Sequence, residues 1–430
     1  MDSAADVAEP THSRFRLRFL RYTQSLWPGE RLSSAFWVFF VAAFFFDFGF
    51  GLYFFLFNLF LANLHFDERI IGIVAGALTL GNVAGTIPVS LLVRRFGLQR
   101  VLLLCFIAAP LFSILRTLLL SMPAQVGLAF FTGVAMSCWP VCFPPAAAKL
   151  TTGNNRVFGF SILFATGIGT GTLAGLVGGY LPGLFRTTGG TSHIADSMRP
   201  VLLLACGVVM LGIWPILHLR LGRVEHGTSV PSRFAHPFLL RFLPAFALWS
   251  VVTGSFAPFA AIFLQKHLGL PLKSIGLIFS GSQLAQVAAV LLAPFLFRRF
   301  GTVGGIMCTQ IATGVAVLAL GRAQSASMAV ACYLGYTGVL FMSGPGFYSM
   351  LMSRLPEEER GKASAAQNLV GAVSQAVAAF LTGGLVVRYG YPAVLSGNAV
   401  VAIAAALLLL VLLGSIDKAP VSQAGELWPR

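Results

Sequence analysis

Arg69–Gly85 reads RIIGIVAGALTLGNVAG, and Lys273–Ala289, 204 positions later, reads KSIGLIFSGSQLAQVAA. At that offset Ile71, Gly72, Leu80, Val83 and Ala84 fall on identical residues, and Asn82 falls on Gln286. The same shift carries Arg94 onto Arg298, so that SLLVRRFGLQR (Ser90–Arg100) meets PFLFRRFGTVG (Pro294–Gly304). It also carries Arg156 onto Arg360 and Gly167 onto Gly371. One unchanged offset over such distances marks a duplicated chain. The halves are 35–219 and 243–414, joined by a linker at 220–242 that is too short to fold as a domain, with tails at 1–34 and 415–430.

Both halves consist of long apolar runs. With 57% hydrophobic and 10% charged residues, the chain has too little polar surface for a soluble globule and reads as a multi-pass integral membrane protein. A spanning helix needs about 20 apolar residues. Twelve such runs lie at 35–63, 70–92, 101–121, 124–148, 157–180, 200–219, 243–264, 274–297, 303–320, 326–352, 363–386 and 392–414. The expectation is an all-α fold of 12 transmembrane helices in two homologous six-helix bundles. With the N-terminus inside, 21 of the 29 Lys and Arg fall on the cytoplasmic side, 7 fall outside, and Arg116 lies within a span. That bias puts both termini in the cytoplasm. The plasma membrane, the inner membrane in a bacterium, is the expected location. The net charge of +15 serves this orientation, so nucleic acid is not an expected partner. In the N-terminal tail Arg14, Arg18 and Arg21 share one helical face and Phe15, Phe19 and Tyr22 the next, which fits either an amphipathic helix on the inner leaflet or a disordered basic tail. All six cysteines sit in apolar runs without accompanying His or acids, so they read as packing residues, with no metal and no cofactor.

Two six-span halves related as parallel repeats are what a transporter working by alternating access requires. The sequence here resembles the major facilitator superfamily over nearly its whole length. The family's loop signature between spans two and three is met by Leu92, Arg95, Phe96, Gly97 and Arg100, while Ser90 stands for its leading Gly and Arg94 for its Asp. LPEEERGKASA (Leu355–Ala365) looks like the loop that leads into the family's eleventh span. The resemblance implies a cytoplasmic gate built from Arg94, Arg95, Gly97, Arg100, Arg298, Arg299 and Arg360. With Arg94 at the acidic position, Glu357, Glu358 and Glu359 across the gate become the expected partners of Arg94, Arg95 or Arg100 in the inside-closed state. In the fifth span Gly167, Gly171, Gly175 and Gly179 repeat every four residues on one face, where small residues permit close helix packing. This stripe resembles the family's antiporter motif, with Gly175 in place of its proline.

Asp47 is the one acid deep in a span, about 18 Å along its helix. A carboxylate at that depth must be paired, protonated or facing water. It is read either as the proton-coupling or substrate-contacting group or as a structural acid. Asn58 follows it on the same stripe, and the resemblance implies that spans one, four, seven and ten line a central cavity. Asn82, Gln283, Gln286, Trp249, Gln367 and Asn368 are the other candidate contacts. Arg116, near the outer end of the third span, is expected to snorkel to the headgroups. Prolines in MSCWPVCFPP and MSGPGF mark the fourth and tenth spans as broken helices. The expected function is proton-coupled secondary transport, with efflux of an amphipathic compound ahead of uniport or symport of a neutral metabolite and of lipid flipping. A monomer is expected, with solute, protons and membrane lipids as partners. No cluster of His, acid and Cys points to an enzyme.

Overall fold

The structure, a computed structural model, describes residues 31–152, 155–189, 194–219, 221 and 237–414. The proposed surface helix of the N-terminal tail, most of the linker and the C-terminal tail lie outside them, as do the side chains of Glu357 and Glu358. The described residues are all helical or in short turns. The N-terminal half comprises α1 (Ser34–Asn63), α2 (Glu68–Phe96), α3 (Leu98–Leu118), α4 (Met122–Met136), α5 (Cys138–Lys149), α6 (Arg156–Gly189), α7 (Ile194–Leu211) and α8 (Ile213–His218). The C-terminal half comprises α9 (Pro237–Phe256), α10 (Ala260–Ile262), α11 (Leu272–Gly321), α12 (Ala326–Met342), α13 (Gly344–Ser353) and α14 (Glu357–Leu413). Counting helices that meet end to end as one, ten stretches of the described chain are long and apolar enough to cross a membrane.

Glycine explains the sharpest corners. Gly97, between α2 and α3, has φ 85°, and Gly301, 204 positions later within α11, has φ 73°. A side chain at such φ would be strained, so the glycine of each RRFG lets the chain turn from one helix into the next. Gly390 does the same inside α14, with φ 75°. A straight 50-residue α11 would extend about 75 Å, more than twice the hydrocarbon core. The break at Gly301 folds it into two arms instead.

The proline-bearing runs are interrupted: α4 gives way to α5 at Ser137, and α12 to α13 at Ser343. A third interruption has no counterpart in the sequence reading. After α9 a 3₁₀ turn at Ala257–Phe259, carrying Pro258, leads through α10 into a π turn at Phe263–His267. Proline removes one backbone donor and displaces the helical hydrogen bonds around it.

Within the N-terminal half α1 packs on α6 and α7, and α4 packs on α2 and α3; in the C-terminal half α9 packs on α14, and α11 on α12 and α14. The halves meet along α2–α14 and α6–α11. The α2–α4 crossing is tight in both directions. A Cβ on Gly133 would collide with Leu78 O, and one on Gly81 would collide with Phe130 O and lie 2.8 Å from its carbonyl carbon. Gly81→Ala is therefore expected to cost about 1–3 kcal/mol, read as a clear fall in the melting temperature of purified protein; an unchanged melting temperature would refute so close a contact.

Arg116 departs from expectation. It does not reach the headgroups: it is 2% exposed, and its guanidinium carbon lies 4.2 Å from the Phe57 ring centroid. The turn between α3 and α4 folds over this helix end, with Gln125 Nε2 donating to Arg116 O at 2.5 Å and to Leu119 O at 2.8 Å. The side chain itself is covered from α1, where the Phe57 face takes the place of water beside the cation.

Candidate functional site

The central feature is a cavity of about 560 Å³ built wholly from the C-terminal half. The break after α9 and the break at Ser343 both open onto it. Its walls are aromatic, with Phe246, Trp249 and Phe256 from α9, Tyr333 and Tyr336 from α12, and Phe347 from α13. Amides from α11 and α14 complete it: Gln283, Gln286, Gln367 and Gln375. No Asp, Glu, Lys, Arg or His lines it. Gln286 Nε2 donates to Gln283 Oε1 at 3.1 Å, which holds these two side chains in register. The Tyr336 hydroxyl and Gln367 Oε1 are buried and have no hydrogen-bond partner among the described residues. Such orphaned polar atoms cost stability unless something else satisfies them.

Four of the sequence-predicted contacts therefore come together: Trp249, Gln283, Gln286 and Gln367. The other four do not line this cavity. Asn82 lies at the α2–α4 crossing and Asn368 is exposed on α14. Asn58 reaches only a neighbouring pocket of about 70 Å³, and its Nδ2 donates to Pro258 O at 3.0 Å. It thus satisfies a carbonyl at the broken turn rather than waiting for a ligand. Asp47 is half-buried on α1 and faces α6, where a Cβ on Gly167 would lie 3.6 Å from its Oδ2. Among the described residues it makes no ion pair.

One turn further along α6, a Cβ on Gly171 would strike Gln283 Nε2; Gly175 and Gly179 lie against Gly276 and Ser280 of α11. The glycine stripe therefore runs from Asp47 at one end to the wall of the cavity and the α6–α11 seam at the other. Tyr333, Tyr336 and Thr337, which the sequence reading passed over, stand at i, i+3 and i+4 on one face of α12. That spacing was the available signal.

Several polar contacts join the halves toward one end of the molecule, called here the Glu68 end. Lys266 Nζ lies 3.3 Å from Glu68 Oε1, the Tyr391 hydroxyl reaches the same oxygen at 3.5 Å, and Asn63 Nδ2 donates to Gln265 Oε1 at 2.9 Å. Ser280 Oγ donates to Thr172 O at 2.7 Å. Burial and the adjacent Glu68 carboxylate push the Tyr391 hydroxyl well above the usual tyrosine range. At the opposite end Arg95, Arg298 and Arg299 lie over the rings of Phe96, Phe295 and Phe300, and Arg360 Nε donates to Leu355 O at 3.1 Å. Among the described residues no ion pair links Arg94, Arg95 or Arg100 to Glu359.

A family model described as Major Facilitator Superfamily matches residues 39–379 and 238–428. No curated protein matches at a significant level. Among solved structures, a variant of the nucleoside transporter NupG superposes with a TM-score of 0.76 at 14% identity, over 88% of this chain and 100% of that one. A D-xylose-proton symporter gives 0.72 at 14% identity, over 90% and 98%. A bacterial homologue of the human lysosomal transporter Spinster, in an inward-facing conformation, gives 0.70 at 13% identity, over 92% and 99%. At such identities the likeness is one of fold.

Proposed function

The chain belongs to the major facilitator superfamily, and from that premise we propose that it exports a small, uncharged, amphipathic solute in exchange for protons by alternating access. The observation that carries the solute class is the 560 Å³ cavity, whose wall is aromatic, amide-bearing and free of charged side chains. An ionic solute would lose its hydration there without gaining a counter-charge, whereas a ring with hydrogen-bonding edges would gain apolar contact and meet Tyr336 and Gln367.

The breaks at Gly301 and Gly390 support a count of twelve spans in two bundles, 35–219 and 243–414, because each divides a helix too long for one crossing. With the arginine bias placing both termini in the cytoplasm, the Glu68 end faces outward and is closed, and this conformation is inward-facing. The protein acts as a monomer in the plasma membrane, a bacterial inner membrane. Asp47 carries the proton. Its link to the solute is α6, which presents Gly167 to Asp47 and Gly171 to Gln283.

The gates complete the cycle. Lys266–Glu68 latches the outer side in this conformation; on the inner side Arg94, Arg95 or Arg100 pairs with Glu357, Glu358 or Glu359 once that side shuts. A partly exposed pair contributes about 0.2–1 kcal/mol, so Glu68→Gln is expected to raise the outward-open population up to about fivefold, and Glu359→Arg to raise the inward-open one. Distances between spin labels at Phe66 and Leu270 report the first effect; a distribution identical to wild type would remove the latch.

The test of the function is transport in liposomes. Uphill extrusion driven by a pH gradient should collapse on adding a protonophore; transport indifferent to it would leave a uniporter. The same cavity suits a second reading, proton symport of a neutral metabolite, which predicts accumulation in the opposite direction under the same gradient.

A further inference from the structure

A second cavity, of about 400 Å³, lies on the far side of α9 and α14 from the first. Its walls are aliphatic, with Val251 of α9 and Leu381, Leu385 and Val394 of α14. Leu381 is 54% exposed and Tyr389 is 57% exposed, so the cavity opens sideways toward the bilayer rather than into the centre of the protein. Within its lining Asn398 is only 6% exposed, and its Nδ2 has no hydrogen-bond partner among the described residues. An amide donor left bare in an apolar setting calls for an acceptor. Arg388, next in sequence to the lining residue Tyr389, is exposed, lies over that ring with its guanidinium carbon 5.2 Å from the centroid, and makes no ion pair among the described residues.

These features follow the layout of one kind of molecule. A cation marks the headgroup level, a single amide donor lies deeper, and an aliphatic trough lies between and below. From Arg388 to Thr382, a polar residue of the lining, is six residues, or about 9 Å of helix, comparable to the reach from a lipid phosphate to the start of its acyl chains. We propose that this cavity is a binding site for one glycerophospholipid of the leaflet at the Glu68 end, with its phosphate on Arg388, an ester carbonyl accepting from Asn398 Nδ2, and an acyl chain in the trough. The solute cavity differs in having an aromatic wall and four amides, so the two sites take different ligands. The lipid sits directly behind the part of α14 whose Ala376 and Ala379 pack on Gly76 and Gly72 of α2, and so backs the closed side of the molecule.

Gly397 supplies the test, because a Cβ there meets nothing within 4 Å and a larger side chain can fill the trough without striking the backbone. Purified full-length protein in a maltoside detergent is titrated with dioleoylphosphatidylglycerol and followed by native mass spectrometry and by melting temperature. Wild type is expected to hold one lipid more tightly than the rest and to melt higher with it. Gly397→Leu should weaken that lipid about tenfold or more, as loss of roughly two methylenes of contact would, and abolish the melting shift while leaving the melting temperature in detergent alone near wild type. Asn398→Leu and Arg388→Gln, which leave the trough open, should each weaken the same lipid. If Gly397→Leu does not fold, these two variants decide. Saturable binding unchanged in all the variants that fold, or no preferred lipid on wild type, would overturn the site.

Discussion

Asp47→Asn is expected to abolish solute gradients driven by protons while leaving downhill equilibration intact. With one proton exchanged per solute, a pH difference of one unit sustains at most about a tenfold concentration ratio, since a factor of ten corresponds to about 1.4 kcal/mol. The variant should bring that ratio to one. Asparagine keeps the size and hydrogen-bonding capacity of the side chain but cannot take or release the proton, so the protein should still fold and bind. Asp47 has no ion-pair partner among the described residues, and its carboxylate faces the glycine surface of α6; an acid so placed stays in the bilayer more cheaply when neutral, which is what a group that loads and unloads a proton needs. Wild-type accumulation with unchanged pH dependence in the reconstituted variant would assign Asp47 a structural role.

Trp249→Ala is expected to raise the KM for transport about 30-fold with kcat little changed, the effect of losing about 2 kcal/mol of apolar contact that the bound solute makes throughout the cycle. Trp249→Phe should recover most of the loss, because a ring would again cover the same wall. Trp249 is itself buried, so melting temperatures of both variants separate lost binding from lost packing. A KM within about twofold of wild type in a stable Trp249→Ala protein would move the solute away from this cavity.

The sequence reading reached the site unevenly, for physical reasons. Trp249, Gln283, Gln286 and Gln367 were recognisable because amides and an indole are costly in hydrocarbon and must face something polar or enclosed. Asn58 met the same criterion, yet its partner is Pro258 O, 200 residues away, left without a helical donor by the break at Ala257–Phe259. Tyr333 and Tyr336 escaped notice because tyrosines in an apolar run are commonplace, and only the neighbouring helices turn that face toward a cavity. Arg116 lay close enough to a span end to reach water, and it is the packing of α1, with Phe57 over the guanidinium, that keeps it buried.

By itself the sequence determined that the chain resides in a membrane and that it is a series of long apolar helices. It also held the corners, since Gly97 and Gly301 recur at the repeat offset and both adopt a conformation that side chains oppose. These properties belong to single residues or short windows, being transfer free energy, charge and backbone sterics. The tertiary structure alone decided that the aromatic, amide-bearing cavity belongs to one half, that Asp47 stands apart from it behind a glycine surface, and that a second, aliphatic cavity forms between α9 and α14. Those outcomes depend on which helix faces meet, which is set by close packing between segments up to hundreds of residues apart.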